Sequence, residues 1–313
     1  MTGIFKGPEA IGELEKCLDK IEKGSSSHWN EMHENFTFDG SSFSGLGGFG
    51  EFDPPAKGLR KFAHFVMQSG YRAMGRGLKD FETIDQHASG IAAQQNRNYN
   101  LDILRQALTL SWLLDIVPDA FSSSGFVAII GDGFATLTSL ILKNSGAPRV
   151  VMINLSKTLL VDLIYLNKSY PEISPSLVTS KAGLTEALSD PSLRVIAIQA
   201  DKFQLLENIP IRLAVNIASM QEMSPSIVAG YFKTFRKISV RNKLTFYCCN
   251  REEKILPDGT EVKFSEYPWL EEDTVIVDEL CPWHQTYYTF RPPFLHYYDG
   301  AHRHRLSILV PDE

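Results

Sequence analysis

Residues 126–142 read Phe-Val-Ala-Ile-Ile-Gly-Asp-Gly-Phe-Ala-Thr-Leu-Thr-Ser-Leu-Ile-Leu. An unbroken apolar run of strand type stops at Gly131, passes through Gly-Asp-Gly, and resumes with the apolar spacing of a helix. Glycine stands where a backbone must turn tightly or come close to another group. About twenty residues on, a second apolar run at 149–153 ends in the polar Asn154. A strand, a tight turn, a helix and a second strand form the entry unit of a parallel α/β sheet. Its strand ends are where nucleotide-type cofactors bind.

The rest of the chain extends this pattern in both directions. Strand-like runs recur at 126–130, 149–153, 194–199, 212–218 and 244–249, separated by helical spacing at 134–144, 156–168, 181–188 and 226–239. Short buried strands alternating with helices predict a mostly parallel sheet covered on both faces. After Asn250 the helices stop, and 260–264, 274–278, 286–290 and 305–310 read as strands. The first ~120 residues read instead as helices at 8–23, 58–78 and 80–116, interrupted by a glycine-rich loop at 38–50. The predicted division is a mostly helical region over 1–120 and a Rossmann-like domain over 121–313.

Composition narrows the class of partner. Net charge is −6, which favours neither a nucleic-acid backbone nor an anionic membrane surface. No apolar run reaches the ~18 residues of a membrane span, and residues 1–6 lack the apolar core of a secretory leader. Cys17, Cys248, Cys249 and Cys281 include no pair at zinc-finger spacing, so free buried thiols in a reducing cytoplasm are expected. Self-association stays open.

The candidate site falls in two halves. Gly131, Asp132 and Gly133 shape the cofactor turn, with Ala135 where a dinucleotide fingerprint has its third glycine. Asn154 stands in the ribose position and can both donate to and accept from a hydroxyl. Asp201 follows the third strand and can accept from an adenine amino group; Ser219 follows the fourth and can face the reactive end of a cofactor. The polar half comes later, at 247–254, 264–269 and 278–285. Its density of aromatic rings, carboxylates and amides suits a polyhydroxylated substrate. His284 is the expected general base, with Glu222 and Glu252 orienting it or the substrate. Asn250, Arg251, Trp283 and Gln285 are expected to hold the substrate. A divalent ion on Asp278, Glu279 and His284, with His302 or His304, matches no sharp metal spacing, and no metal is expected.

Four strings together carry a family resemblance: Ser219-Met-Gln-Glu-Met223; Asn250-Arg-Glu-Glu-Lys254 with Leu256-Pro-Asp-Gly259; Ser265-Glu-Tyr-Pro-Trp269; and Asp278-Glu-Leu-Cys-Pro-Trp-His-Gln285. From about residue 105 to 306 the chain resembles a family of sugar O-methyltransferases within the S-adenosylmethionine-dependent, class I Rossmann-like enzymes. The resemblance implies a seven-stranded sheet whose last strand is antiparallel. It also implies that Gly131, Asp132, Gly133 and Asn154 meet S-adenosylmethionine. Such enzymes usually carry an acid two positions before the first glycine and another at the ribose position; here these are Ile129 and Asn154. The expected function is methyl transfer to a hydroxyl of a sugar or glycosylated small molecule, with loop 44–50 as a lid. A catalytically inactive binding or regulatory protein on the same fold is the alternative. A nicotinamide-dependent oxidoreductase is disfavoured by the missing third glycine.

Overall fold

The structure is a computed structural model that describes residues 3–20, 22–47, 53–121, 125–144 and 149–312. Nine strands form its main sheet: β1 (Ile4–Lys6), β2 (Phe126–Ile130), β3 (Arg149–Asn154), β4 (Ser176–Val178), β5 (Val195–Gln199), β6 (Ile211–Ile217), β7 (Leu244–Arg251), β8 (Thr274–Leu280) and β9 (His302–Leu309). Their order across the sheet is β1-β4-β5-β3-β2-β6-β7-β9-β8. From β4 to β7 every neighbouring pair is parallel. The last strand, β9, runs antiparallel to both β7 and β8.

The expected seven strands become nine because β4 and β1 extend the sheet past β5. Each has three residues, too few for a periodic signal, and β1 is held by antiparallel pairing of Ile4 with Val178. Of the later strand-like runs, 274–280 and 302–309 enter the main sheet. The segments Thr286–Tyr288 and Leu295–Tyr297 pair only with each other, as do Glu253–Ile255 and Glu261–Lys263.

Among the described residues ten α-helices accompany the sheet: α1 (Pro8–Glu15), α2 (Ser27–Met32), α3 (Gly58–Met67), α4 (Ser69–Met74), α5 (Phe81–Gln94), α6 (Leu101–Ile116), α7 (Thr136–Asn144), α8 (Ser156–Ser169), α9 (Lys181–Ser189) and α10 (Pro225–Ser239). Three helices are shorter than their apolar spacing predicts. The helix expected over 8–23 stops at Glu15, and that over 58–78 breaks at Gln68 into α3 and α4. The helix expected over 80–116 divides into α5 and α6, because Asn96 turns left-handed (φ 54°) and Asn100 caps α6 by accepting from Ile103 N at 3.1 Å. The glycine-rich stretch folds in part into a hairpin, Thr37–Phe38 with Phe43–Ser44; residues 48–50 of the expected lid lie outside the described residues.

Strand alternation feeds two apolar layers. Val127, Ile129, Val150, Met152, Leu213 and Val215 face one side, where α5, α6, α7 and α8 pack with Ile84, Leu104, Leu108 and Leu140. Phe126, Ala128, Ile130, Val151, Ile153 and Ala214 face the other, against α9 and α10 with Leu184, Phe232 and Phe235. Helices from the first 120 residues therefore cover one face of the sheet directly. Each such leucine or isoleucine removed from water contributes roughly 1.5–3 kcal/mol. Strand β2 is central: the chain moves outward from it through β3 and β5, then returns to its other side as β6. That reversal opens a crevice at the C-terminal ends of β2, β3 and β6. Among the described residues no helix is long and apolar enough to cross a membrane.

Candidate active site

A cavity of about 240 Å³ occupies that crevice. Its floor is Ile130-Gly131-Asp132-Gly133-Phe134, its sides are the ends of β3 (Ile153, Asn154, Leu155) and β6 (Ile217, Ala218, Ser219), and Glu222 and His284 also line it. Seven of the residues predicted from sequence thus meet around one space: Gly131, Asp132, Gly133, Asn154, Ser219, Glu222 and His284.

Gly131 is fixed by two independent demands. Its φ is +76°, and a Cβ placed there would lie 2.4 Å from Ser219 Oγ. Ser219 in turn donates to the Ile130 carbonyl at 3.0 Å, so the strand end and the β6 loop are tied together behind the turn.

Asp132 serves the turn rather than the open space. Its two carboxylate oxygens accept from Leu137 N at 3.0 Å and Thr138 N at 2.8 Å, capping the first turn of α7. Asp162, on α8, accepts from Ala135 N at 3.0 Å and from Asn154 Nδ2 at 2.9 Å. Burial first, and the charge of Asp132 second, push Asp162 well above the usual carboxylate range. The Asn154 amide is engaged on both sides, since its Oδ1 also accepts from Leu155 N at 3.0 Å. Asn154 lines the cavity with its hydrogen-bonding capacity directed into the fold.

The remaining predicted residues lie outside the lining. Asn250 is fully buried; it donates to Asn216 Oδ1 at 2.9 Å and accepts from Gln221 N at 3.0 Å, while Gln221 Oε1 accepts from Arg251 N at 2.7 Å. This amide network fixes the turn Met220–Glu222 and so acts on the cavity from behind. Trp283 is buried, donating from Nε1 to Thr109 Oγ1 at 3.0 Å. Gln285 donates to the carbonyls of Cys281 (2.8 Å) and His302 (2.6 Å). Glu252 is exposed and pairs with Arg303 at 3.4 Å; Asp201 is exposed beside Lys202, and its neighbour Ala200 reaches the cavity instead. Of the carboxylates of the alternative metal set, Asp278 pairs with Arg303 (2.5 Å), while Glu279 is exposed and stands 3.6 Å from His304 Nε2.

His284 ends the short turn Pro282–His284 and is almost fully buried. Burial, then the nearby charge of Arg105, hold its ring neutral, well below the ordinary histidine range. Its Nε2 has no hydrogen-bond partner among the described residues. Glu222 receives Lys254 Nζ at 2.7 Å and sits 3.6 Å from His28 Nε2; its carbonyl accepts from Ser26 Oγ at 2.5 Å.

The first 106 residues add lining that the sequence did not announce: Gly24, Ser25, Ser26 and Trp29 from one segment, Arg97, Asp102 and Gln106 from another. Arg97 is the main addition. Its guanidinium stacks 3.6 Å from the Phe134 ring centroid, and Nη1 donates to Gln95 Oε1 at 3.1 Å and Thr136 Oγ1 at 3.3 Å. Burial lowers its pKa to about 10, so it remains a cation at neutral pH, and its Nε is unpartnered among the described residues. No motif marks Arg97; the left-handed turn at Asn96 aims it.

No protein-family model matches this chain, and no curated protein matches it. Solved structures do. The pyocyanin biosynthetic protein PhzM superposes with a TM-score of 0.38 and 13% identity over 65% of this chain and 57% of its own. The mitomycin 7-O-methyltransferase MmcR gives 0.36 and 13% over 82% and 74%. A protein described as a sarcosine dimethylglycine methyltransferase, from Galdieria sulphuraria, gives 0.44 and 10% over 66% and 88%. At these TM-scores the similarities say nothing of what this chain binds.

Proposed function

We propose that this chain is an S-adenosylmethionine-dependent O-methyltransferase acting on a hydroxyl of a sugar-like small molecule. The observation that carries the reading is the occupied N-terminus of α7 at the glycine turn. A dinucleotide needs the open N–H groups of the following helix for its pyrophosphate. Here Asp132 already occupies Leu137 N and Thr138 N and places a carboxylate at that end. A phosphate-bearing cofactor finds its N–H cradle taken there, whereas a phosphate-free sulfonium nucleoside does not need it.

The donor set fits such a group. Gly131 and Gly133 allow close backbone approach, and Leu155 and Ala200 offer apolar contact for a purine. Arg97, charged and with an unpartnered Nε, suits the carboxylate of the amino-acid arm. When bound, the cofactor supplies an electrophilic methyl group. The chain's own work is alignment of the acceptor oxygen and loss of its proton. Trp29 offers a ring face for a sugar, and Asp102, Gln106 and Gln221 offer polar groups for its hydroxyls. The reacting hydroxyl is assigned to the His284 corner, where an unpartnered Nε2 is available to it.

Isothermal calorimetry with S-adenosylmethionine and its demethylated product tests the cofactor directly. Saturable binding of both is expected, weakened at least roughly tenfold in Arg97→Met. Absence of heat at millimolar cofactor would sink the reading.

A further inference from the structure

We infer that Cys249, Cys281 and His284 form a binding site for a thiophilic divalent ion, Zn²⁺ above all, beside the acceptor end of the cavity. Among the described residues this is the only group of three such side chains whose ligating atoms all lie within 4.8 Å of one another, and all three are buried. Ligand atoms around a tetrahedral zinc stand roughly 3.3–3.8 Å apart, so a small contraction completes the set. Cys281 and His284 are three residues apart on one turn, and Cys249 comes from β7.

Three further observations point the same way. His284 Nε2 and His302 Nδ1 are both buried without partners, and the two rings stand 5.6 Å apart by centroid. Buried polar atoms are rarely left so in a finished site. The ligand set also balances charge: binding releases two thiol protons, and two thiolates cancel a dication, leaving a neutral cluster that suits an apolar surround. Arg105, the nearby cation, is already matched by Asp102 at 2.7 Å.

Two thiolates and one imidazole leave a fourth position on the ion. His284 is the ligand that also lines the cavity, so that position opens toward the acceptor. A substrate hydroxyl bound there loses its proton more readily, as metal-bound water does, and the proton passes to solvent through the open cavity. This use of the ion rests on the function proposed above; the ion site itself does not. With the ion in place, His284 promotes proton loss as its ligand rather than by taking the proton itself.

The experiment uses full-length protein purified without chelators. Elemental analysis is expected to find about one zinc per chain. After chelation and reloading with Co²⁺, wild-type protein should show a thiolate-to-cobalt charge-transfer band and the intense visible bands of tetrahedral cobalt. Cys249→Ser and Cys281→Ser should each weaken Co²⁺ binding at least roughly tenfold. Added azide should shift the visible bands through the open position. Metal-free protein whose cobalt form lacks the charge-transfer band overturns the site, and the wild-type spectrum decides this even where a variant fails to fold. A cobalt spectrum insensitive to azide overturns the open fourth position. Calorimetry with S-adenosylmethionine on the same samples separates failure of the ion site from failure of the cofactor reading.

Discussion

Gly131 carries more constraint than any other residue of the cavity. Its left-handed φ excludes a side chain on conformational grounds, and Ser219 excludes one on steric grounds. Gly131→Ala is expected to destabilise the fold by about 2–3 kcal/mol, read by chemical denaturation. Adding Ser219→Gly removes the steric part but leaves the φ cost. The double variant should therefore recover some, and not all, of the loss; strictly additive losses would show that the two positions are not in contact. The sequence made Gly131 conspicuous because glycines between a strand and a helix leave a pattern. It could not show that Asp132 points along the chain to cap α7, because a side chain's direction is set by packing.

At the scale of elements, the turn Met220–Glu222 is held by the Asn216–Asn250–Gln221 network, which spans β6 and β7. A fully satisfied buried amide network is costly to interrupt. Asn250→Leu leaves the Gln221 amide without its acceptor and is expected to cost about 2–4 kcal/mol. Hydrogen exchange at the Gln221 amide should accelerate by more than the global stability change explains; unchanged local protection would show that the network does not hold the turn. The long strands are legible because β2, β3, β5 and β6 are mostly Val, Ile, Leu, Ala, Met and Phe, and β7 opens on Leu, Phe and Tyr followed by two cysteines. Strands β1 and β4 are not, since three residues carry no period and exist only through their partners. Asn250 and Trp283, expected from the sequence to hold the substrate, are both buried, and each spends its polar group inside the fold.

Across the whole molecule, the least legible part of the site is what the first 106 residues bring to it. Trp29, Arg97 and Gln106 have no shared spacing with the glycine turn; the packing of α5 and α6 against the sheet, and the bond from Ser26, before α2, to the Glu222 carbonyl, place them there. Glu22, from the same part of the chain, lies outside the cavity lining. Its Oε2 accepts from Ser156 N at 2.6 Å at the start of α8, and burial raises its pKa to about 7 from 4.5. A folded-state pKa above the unfolded value means that Glu22 supports folding fully at pH below 4.5, and that this support fades as pH rises through about 7. Glu22→Gln should therefore gain stability relative to the parent by up to about 3 kcal/mol between pH 5 and pH 8. Denaturation midpoints at the two pH values measure this, and parallel pH profiles would contradict it.

The pairing of Ile4 with Val178 also sets a timetable. A ribosome adding roughly 5–20 residues per second delivers β4 some ten to thirty-five seconds after β1. Through that interval β1 has no strand to join, and for part of it, until β2 and β3 emerge, α5 and α6 have no sheet to cover. Closing so long a loop is a late event with a large entropic cost. The nascent chain therefore carries its apolar helices unsheltered until the parallel strands emerge, and those helices are where a chaperone would find this protein during synthesis.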